Sequence, residues 1–231
     1  MSRENNVTDF EVGKEVEIDK NQLVPGQHIY VYRSIPLTYT HHGIYVGKDS
    51  KKSHVQFVIH FVGDLQNGSF SISVSSINYG SSSSSQACED CNYRRNIDSG
   101  VLRTCLKCFI DGSLGETKLY LYQYGVSTTD KRACFAGTCS CKEAKSPKEI
   151  VKNAYKKLQD PKPRKYNLLT NNCETFATEC STENGESGQA DKVIRTAVVT
   201  TGIAGVLAAA GYALYSNYSK KKEEEEEERK K

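Results

Sequence analysis

The sequence predicts an α+β domain, an antiparallel sheet with packed helices, followed by one apolar helix at the C-terminus. Three observations lead there. Short apolar and aromatic runs separated by turns follow one another in the first third of the chain. Two helical stretches come after them. Residues 196–219 carry no charge, between a polar linker and a final block of lysines and glutamates.

Residues 1–22 read as a polar N-terminal arm without the apolar core of a secretory signal. The turn at Leu23-Val-Pro-Gly leads into a first strand, His28–Arg33. Residues 34–40 form a loop, and His41–Gly47 a second strand closed by glycine. A polar turn precedes the third strand, Val55–Phe61, and short turns between strands make an antiparallel meander the simplest reading. Residues 63–112 read as an insertion. It begins glycine- and serine-rich, with a candidate edge strand at Phe70–Val74, and ends in two Cys-x-x-Cys pairs. Lys118–Tyr124 alternates as a strand does. Residues 147–159 read as a helix, with Pro147 at its first position and Ile150, Ala154 and Leu158 at helical spacing. A short helix covers Cys173–Cys180. The organisation is therefore an arm, a domain over 23–180, a linker over 181–195, an apolar helix over 196–219 and a charged tail over 220–231.

The length of 231 residues fits one domain with appendages. The net charge of +3, from 31 basic and 28 acidic residues, and the lack of a basic stripe argue against nucleic acid as a partner. Nine cysteines without a signal segment point to a reducing compartment. There, cysteines serve as nucleophile, metal ligands or core fillers in preference to disulfides.

Asn171-Asn-Cys-Glu174 places Cys173 at a helix N-terminus, with Asn as the cap and Glu in the first turn. Such a position favours thiolate over thiol, and the free N–H groups of the turn suit an oxyanion. The same string also fits a buried structural cysteine. Strand alternation puts His41, Gly43 and Tyr45 on one face and His42 and Ile44 on the other, with His60 across the sheet. A thiol, a base and a group that orients the base make a triad in any chain order.

The strings His41-His-Gly-Ile-Tyr-Val-Gly47, Val58-Ile-His-Phe61 and Asn171-Asn-Cys-Glu-Thr-Phe176 together resemble the lecithin:retinol acyltransferase domain. Within that family the match is closest to the plant branch of NC-domain proteins. The resemblance covers about residues 22–180. It implies a circularly permuted papain-like fold of the NlpC/P60 superfamily. It also implies Cys173 as the acyl-accepting nucleophile. The family's first histidine stands four residues before its tyrosine; counted from Tyr45 that is His41, not His42, which makes His41 the base and His60 its orienting partner. The implied activity is lipid acyl transfer or phospholipase A hydrolysis through an acyl thioester, with a phospholipid or other acyl lipid as substrate. A cysteine peptidase of the wider superfamily and a non-catalytic module of the same fold are the competing readings.

Cys88, Cys91, Cys105 and Cys108 form two pairs across a 13-residue spacer, a pattern that suits one structural zinc held by four thiolates. The resemblance to the plant branch implies similar cysteine pairs. Cys134, Cys139 and Cys141 match no metal spacing, and Cys180 reads as core. Residues 196–219 are long enough for a single membrane span, rich in small residues, with Tyr212, Tyr215 and Tyr218 near one end. The expectation is a C-terminal anchor with the catalytic domain in the cytosol. The alternative is a soluble Ala-rich helix of a cytoplasmic protein.

Overall fold

The computed structural model describes residues 15–33, 39–50, 52–63, 86–95, 97–111, 118–134, 137–162, 165–166 and 172–182, all within the compact unit Met1–Ala190. The architecture is α+β. Strands β1 (Val16–Glu17), β2 (His28–Arg33), β3 (Tyr39–Lys48), β4 (Gln56–Val62), β5 (Gly100–Cys105) and β6 (Tyr120–Leu121) make one antiparallel sheet in the order β1-β6-β2-β3-β4-β5. β2 to β5 are the expected meander, extended by one strand.

Pleat alternation divides the sheet into two buried faces. Gly43 pairs with His60, and Tyr45 with Val58. These residues share a face with Ile29, Val31, Leu106 and Phe109, the last two from α1 (Leu106–Ile110). The other face carries Ile44, Ile59 and Phe61. Helices α3 (Pro147–Leu158) and α4 (Cys173–Ser181) cover it with Ile150, Ala154, Phe176, Ala177 and Cys180. α3 starts where its sequence dictates. Ser146 caps it in a reciprocal box with Glu149, and Pro147 occupies the first turn, where a missing N–H costs nothing. A further short helix, α2 (Thr128–Ala133), is capped by Ser127.

Three expectations need correction. The polar arm contains β1, because Val16 finds an apolar partner position opposite Leu121. The strand read over Lys118–Tyr124 shrinks to Tyr120–Leu121, since the main chain of Gln123 turns away to bond Thr138 and Ser140. The segment read as a loop insertion supplies β5, which pairs with the whole of β4 as the sheet's last strand. The candidate strand at 70–74, the serine run, and residues 183–231 with the linker, apolar helix and charged tail lie outside the described residues. Among the described residues, no helix is long and apolar enough to cross a membrane.

Candidate active site

β3 carries two consecutive histidines, and the pleat sends them to opposite faces. On the α1 face, His41 Nε2 lies 2.8 Å from His60 Nδ1, and His60 Nε2 lies 3.0 Å from Thr104 Oγ1 of β5. Phe109 packs against both rings, at 5.3 Å from each. Gly43 makes this closure possible. A Cβ there would come within 2.6 Å of Val58 Cγ1, 3.0 Å of Phe109 Cε2 and 3.2 Å of His60 Cβ, so any side chain would push the ring cover off the histidines. On the other face, His42 Nε2 meets Thr40 Oγ1 at 2.8 Å and His42 Nδ1 meets His28 Nε2 at 2.9 Å. His28 Nδ1 meets the Tyr124 hydroxyl at 2.8 Å, and its ring stacks on Tyr122 at 4.2 Å.

Of the eight ring nitrogens in these two pairs, His41 Nδ1 alone has no hydrogen-bond partner among the described residues. One consistent proton assignment follows for its pair. His60 gives its Nε2 proton to Thr104 and accepts at Nδ1 from His41 Nε2–H, which leaves the open His41 Nδ1 as a lone pair. Burial, with His60 and Arg33 nearby, holds His41 well below the usual imidazole range. Burial takes His60 and His42 down to about 3. All three are neutral at pH 7.

Cys173 opens α4, whose cap is Asn172: the Asn172 side chain accepts from the Thr175 N–H at 2.9 Å. Cys173 is 2% exposed, and its sulfur lies against β3 at Thr40 and His42, the chain neighbours of His41. Its S–H points to the Thr40 carbonyl at 3.8 Å. The main-chain N–H groups of His42 and Glu174 and the Tyr166 hydroxyl donate to it. The structure thus joins His41 to His60 and sets the sulfur beside the main chain that carries His41. It makes no hydrogen bond between that sulfur and either imidazole. The helix N-terminus does not leave a thiolate at rest, as its position suggested. Burial pushes the Cys173 thiol up to about 11, against the pull of those donors. The resting site is a neutral thiol beside neutral imidazoles.

Several residues here escaped the sequence reading. Tyr166 faces the sulfur and packs on Phe61, with ring centroids at 5.0 Å. Thr104 anchors His60. Arg33 pairs with Tyr39 at the end of β2 and β3 and is among the charges that act on Cys173. The one signal for Arg33 was a cation closing an otherwise apolar strand.

The four paired cysteines converge as expected. Their sulfurs lie within 4.8 Å of one another, with Cys88–Cys105 and Cys91–Cys108 both at 3.8 Å. The edge of a tetrahedron with metal–sulfur bonds of about 2.3 Å is about 3.8 Å, so the spacing fits one zinc-sized ion. The left-handed turn at Asn92 (φ 61°) and the Cys108 N–H to Cys105 Sγ bond of 3.4 Å shape the two knuckles. Donation from Cys108 pulls the Cys105 thiol down to about 5, while burial pushes Cys91 up to about 11. Four thiolates at this spacing would repel one another unless a cation stood among them. The cluster packs on Val55 and Phe57.

The family profile described as lecithin retinol acyltransferase matches residues 21–186. The chain is 34% identical over 188 residues to Protein LEAD-SENSITIVE 1 of Arabidopsis thaliana, an alignment covering 77% of this chain and 67% of the relative. That relative's name states no activity. No solved structure matches.

Proposed function

The chain belongs to the lecithin retinol acyltransferase family, and from that premise we propose that it is a cysteine-dependent lipid acyltransferase or phospholipase A, working through an acyl thioester on Cys173. The observation that carries this reading is the single open ring nitrogen, His41 Nδ1, on the stretch of β3 against which the Cys173 sulfur lies. His41 takes the S–H proton as the sulfur attacks an ester carbonyl of the acyl lipid. His60 holds the base in the tautomer that can accept, and Thr104 holds His60. The tetrahedral oxyanion would form beside the sulfur, within reach of the His42 and Glu174 N–H groups that donate to that sulfur at rest. Collapse breaks the ester C–O bond, and His41 returns the proton to the departing alkoxide, leaving a thioester. Water, an alcohol or an amine then gives a proton to His41, takes the acyl group and releases the thiol. Burial that pushes the Cys173 thiol up supports general-base catalysis in preference to attack by a preformed thiolate. At rest the S–H is turned to the Thr40 carbonyl, so substrate binding would have to turn it to the His41 imidazole.

Cys88, Cys91, Cys105 and Cys108 would hold one structural zinc. With four protein ligands the site is closed, so the ion would fix the knuckles and take no part in the reaction. Residues 196–219 would form a membrane anchor that keeps the domain beside lipid, with the domain on the cytosolic side.

Labelled phosphatidylcholine and purified protein test the chemistry. A hydroxylamine-sensitive acyl adduct should appear on the Cys173 peptide and vanish in Cys173→Ala together with turnover. Full activity in Cys173→Ala would sink the assignment. Metal analysis of protein purified without added metal should give about one zinc per chain under the four-thiolate scheme. A folded, metal-free protein indifferent to chelator would remove the ion from the account.

A further inference from the structure

The cysteine-rich segment delivers more than thiols. Just after Cys91, the left-handed turn at Asn92 lets the Tyr93 carbonyl accept from the Cys88 N–H at 3.0 Å and directs the next residues outward. Arg94 forks onto Asp98, at 2.7 and 3.1 Å, and is neutralised there. Arg95 goes elsewhere and donates to the Asp111 carbonyl. Arg33, from the end of β2, donates to the two carbonyls just before it, Phe109 at 2.5 Å and Ile110 at 3.3 Å. Two guanidinium groups from distant parts of the chain therefore gather on three consecutive carbonyls at the end of α1. Arg94 and Arg103 both have carboxylate partners. Arg33 and Arg95 have none among the described residues, and each repels the other.

The Arg33 member of this pair lies within electrostatic reach of the proposed nucleophile. Arg33 pairs with Tyr39, whose neighbour Thr40 accepts from the Cys173 S–H at 3.8 Å. Main-chain carbonyls engage only a minority of the guanidinium N–H groups, so most stay open to a ligand. Paired guanidiniums match the oxygens of a phosphate in number and plane better than they match any neutral group. In a glycerophospholipid the phosphate stands one glycerol carbon from the sn-2 ester and two from the sn-1 ester. A cation pair that grips the phosphate also aims the ester. We propose that Arg33 and Arg95 form an anion subsite that holds the phosphate of the acyl donor next to Cys173. The phosphate-binding part stands on the arginines alone, whereas its use in catalysis rests on the acyl-transfer reading of Cys173.

The experiment uses the full chain with its metal and reads alkylation of the Cys173 peptide by iodoacetamide, which needs no turnover. Arg95→Gln keeps an N–H donor for Asp111 and removes only the charge. Arg95→Lys restores the charge, and circular dichroism checks that both fold. Short-chain phosphatidylcholine should slow alkylation of the parent protein. Inorganic phosphate should do so at higher concentration. Diacylglycerol of the same chain length, which has no phosphate, should protect the parent and Arg95→Gln alike. Arg95→Gln should need at least tenfold more phosphatidylcholine or phosphate for equal protection, and Arg95→Lys should recover part of that loss. In turnover, Arg95→Gln should raise KM for phosphatidylcholine about tenfold with kcat within about twofold, the mark of binding shared by ground and transition states. Unchanged protection of Arg95→Gln by both phosphate and phosphatidylcholine overturns the subsite. Protection by phosphate without protection by phosphatidylcholine overturns the lipid as its source. Charge-dependent protection in a protein that never forms a thioester supports the subsite and removes the acyl-transfer reading instead.

Discussion

His41 and His42 stand next to each other on one strand, yet they belong to different machines. His41 enters an open chain: Thr104, His60, His41, then a ring nitrogen without a partner. His42 enters a closed one: Tyr124, His28, His42, Thr40, with both ring nitrogens bonded. Burial lowers all four imidazoles, although His41 keeps some exposure while the other three rings are buried. The difference is in hydrogen-bond closure. A closed buried network rigidifies the strand and offers nothing to a substrate. An open nitrogen on a tautomer fixed from behind can take a proton. Fixing the main chain at Thr40–His42 also fixes the N–H and C=O that hold the Cys173 sulfur, so the closed pair supports the open one.

The largest test of this contrast is kinetic. His41→Ala should lower acyl transfer by about 10²- to 10⁴-fold, the usual share of a general base, with a smaller loss of stability than His42→Ala, since it strips one buried partner, His60 Nδ1, instead of two. A greater catalytic loss in His42→Ala, measured per folded molecule, would transfer the role of base to His42. Next comes stability. His42→Ala leaves His28 Nε2 and Thr40 Oγ1 facing a cavity, which should cost about 2–4 kcal/mol. Urea unfolding of the two alanine variants would break the comparison if His41→Ala were the less stable. The smallest effect per group is the response to acid. The folded chain resists protonating these four imidazoles, whereas the unfolded chain takes up protons below about pH 6.5. The stability they contribute is therefore complete above that pH and is lost as pH falls towards about 3, where His42 and His60 titrate when folded. The loss should be roughly 1 kcal/mol per pH unit for each imidazole. Unfolding midpoints at pH 7, 6 and 5 measure it, and a flat series would mean the rings are not held neutral.

Much of this site was legible in the sequence. The family register, counted four residues back from Tyr45, chose His41 over His42, and His60 was read only as within reach across the sheet; the structure bonds it to His41. The two Cys-x-x-Cys pairs converged because each knuckle is a local turn whose geometry its own residues set. Legibility failed where partners are far apart in sequence. Thr104 lies 44 residues from His60, and Arg33 meets carbonyls 76 and 77 residues away. β5 was hidden inside a polar, cysteine-rich stretch, because its apolar share is small and it gains its order by pairing with β4.

The sequence by itself determined the elements that local physics controls. These are the strand pleat that separates His41 from His42, the Asn172 cap that starts the helix at Cys173, and the box that starts α3. Tertiary structure alone decided the protonation state of the site. A helix N-terminus favours a thiolate, and that much can be read from Asn-Cys-Glu. Removing the same sulfur from water opposes it, and how completely it is removed depends on Tyr166 and β3 closing around it. Burial wins, because desolvation acts on the full charge of the thiolate while the helix end supplies only partial charges.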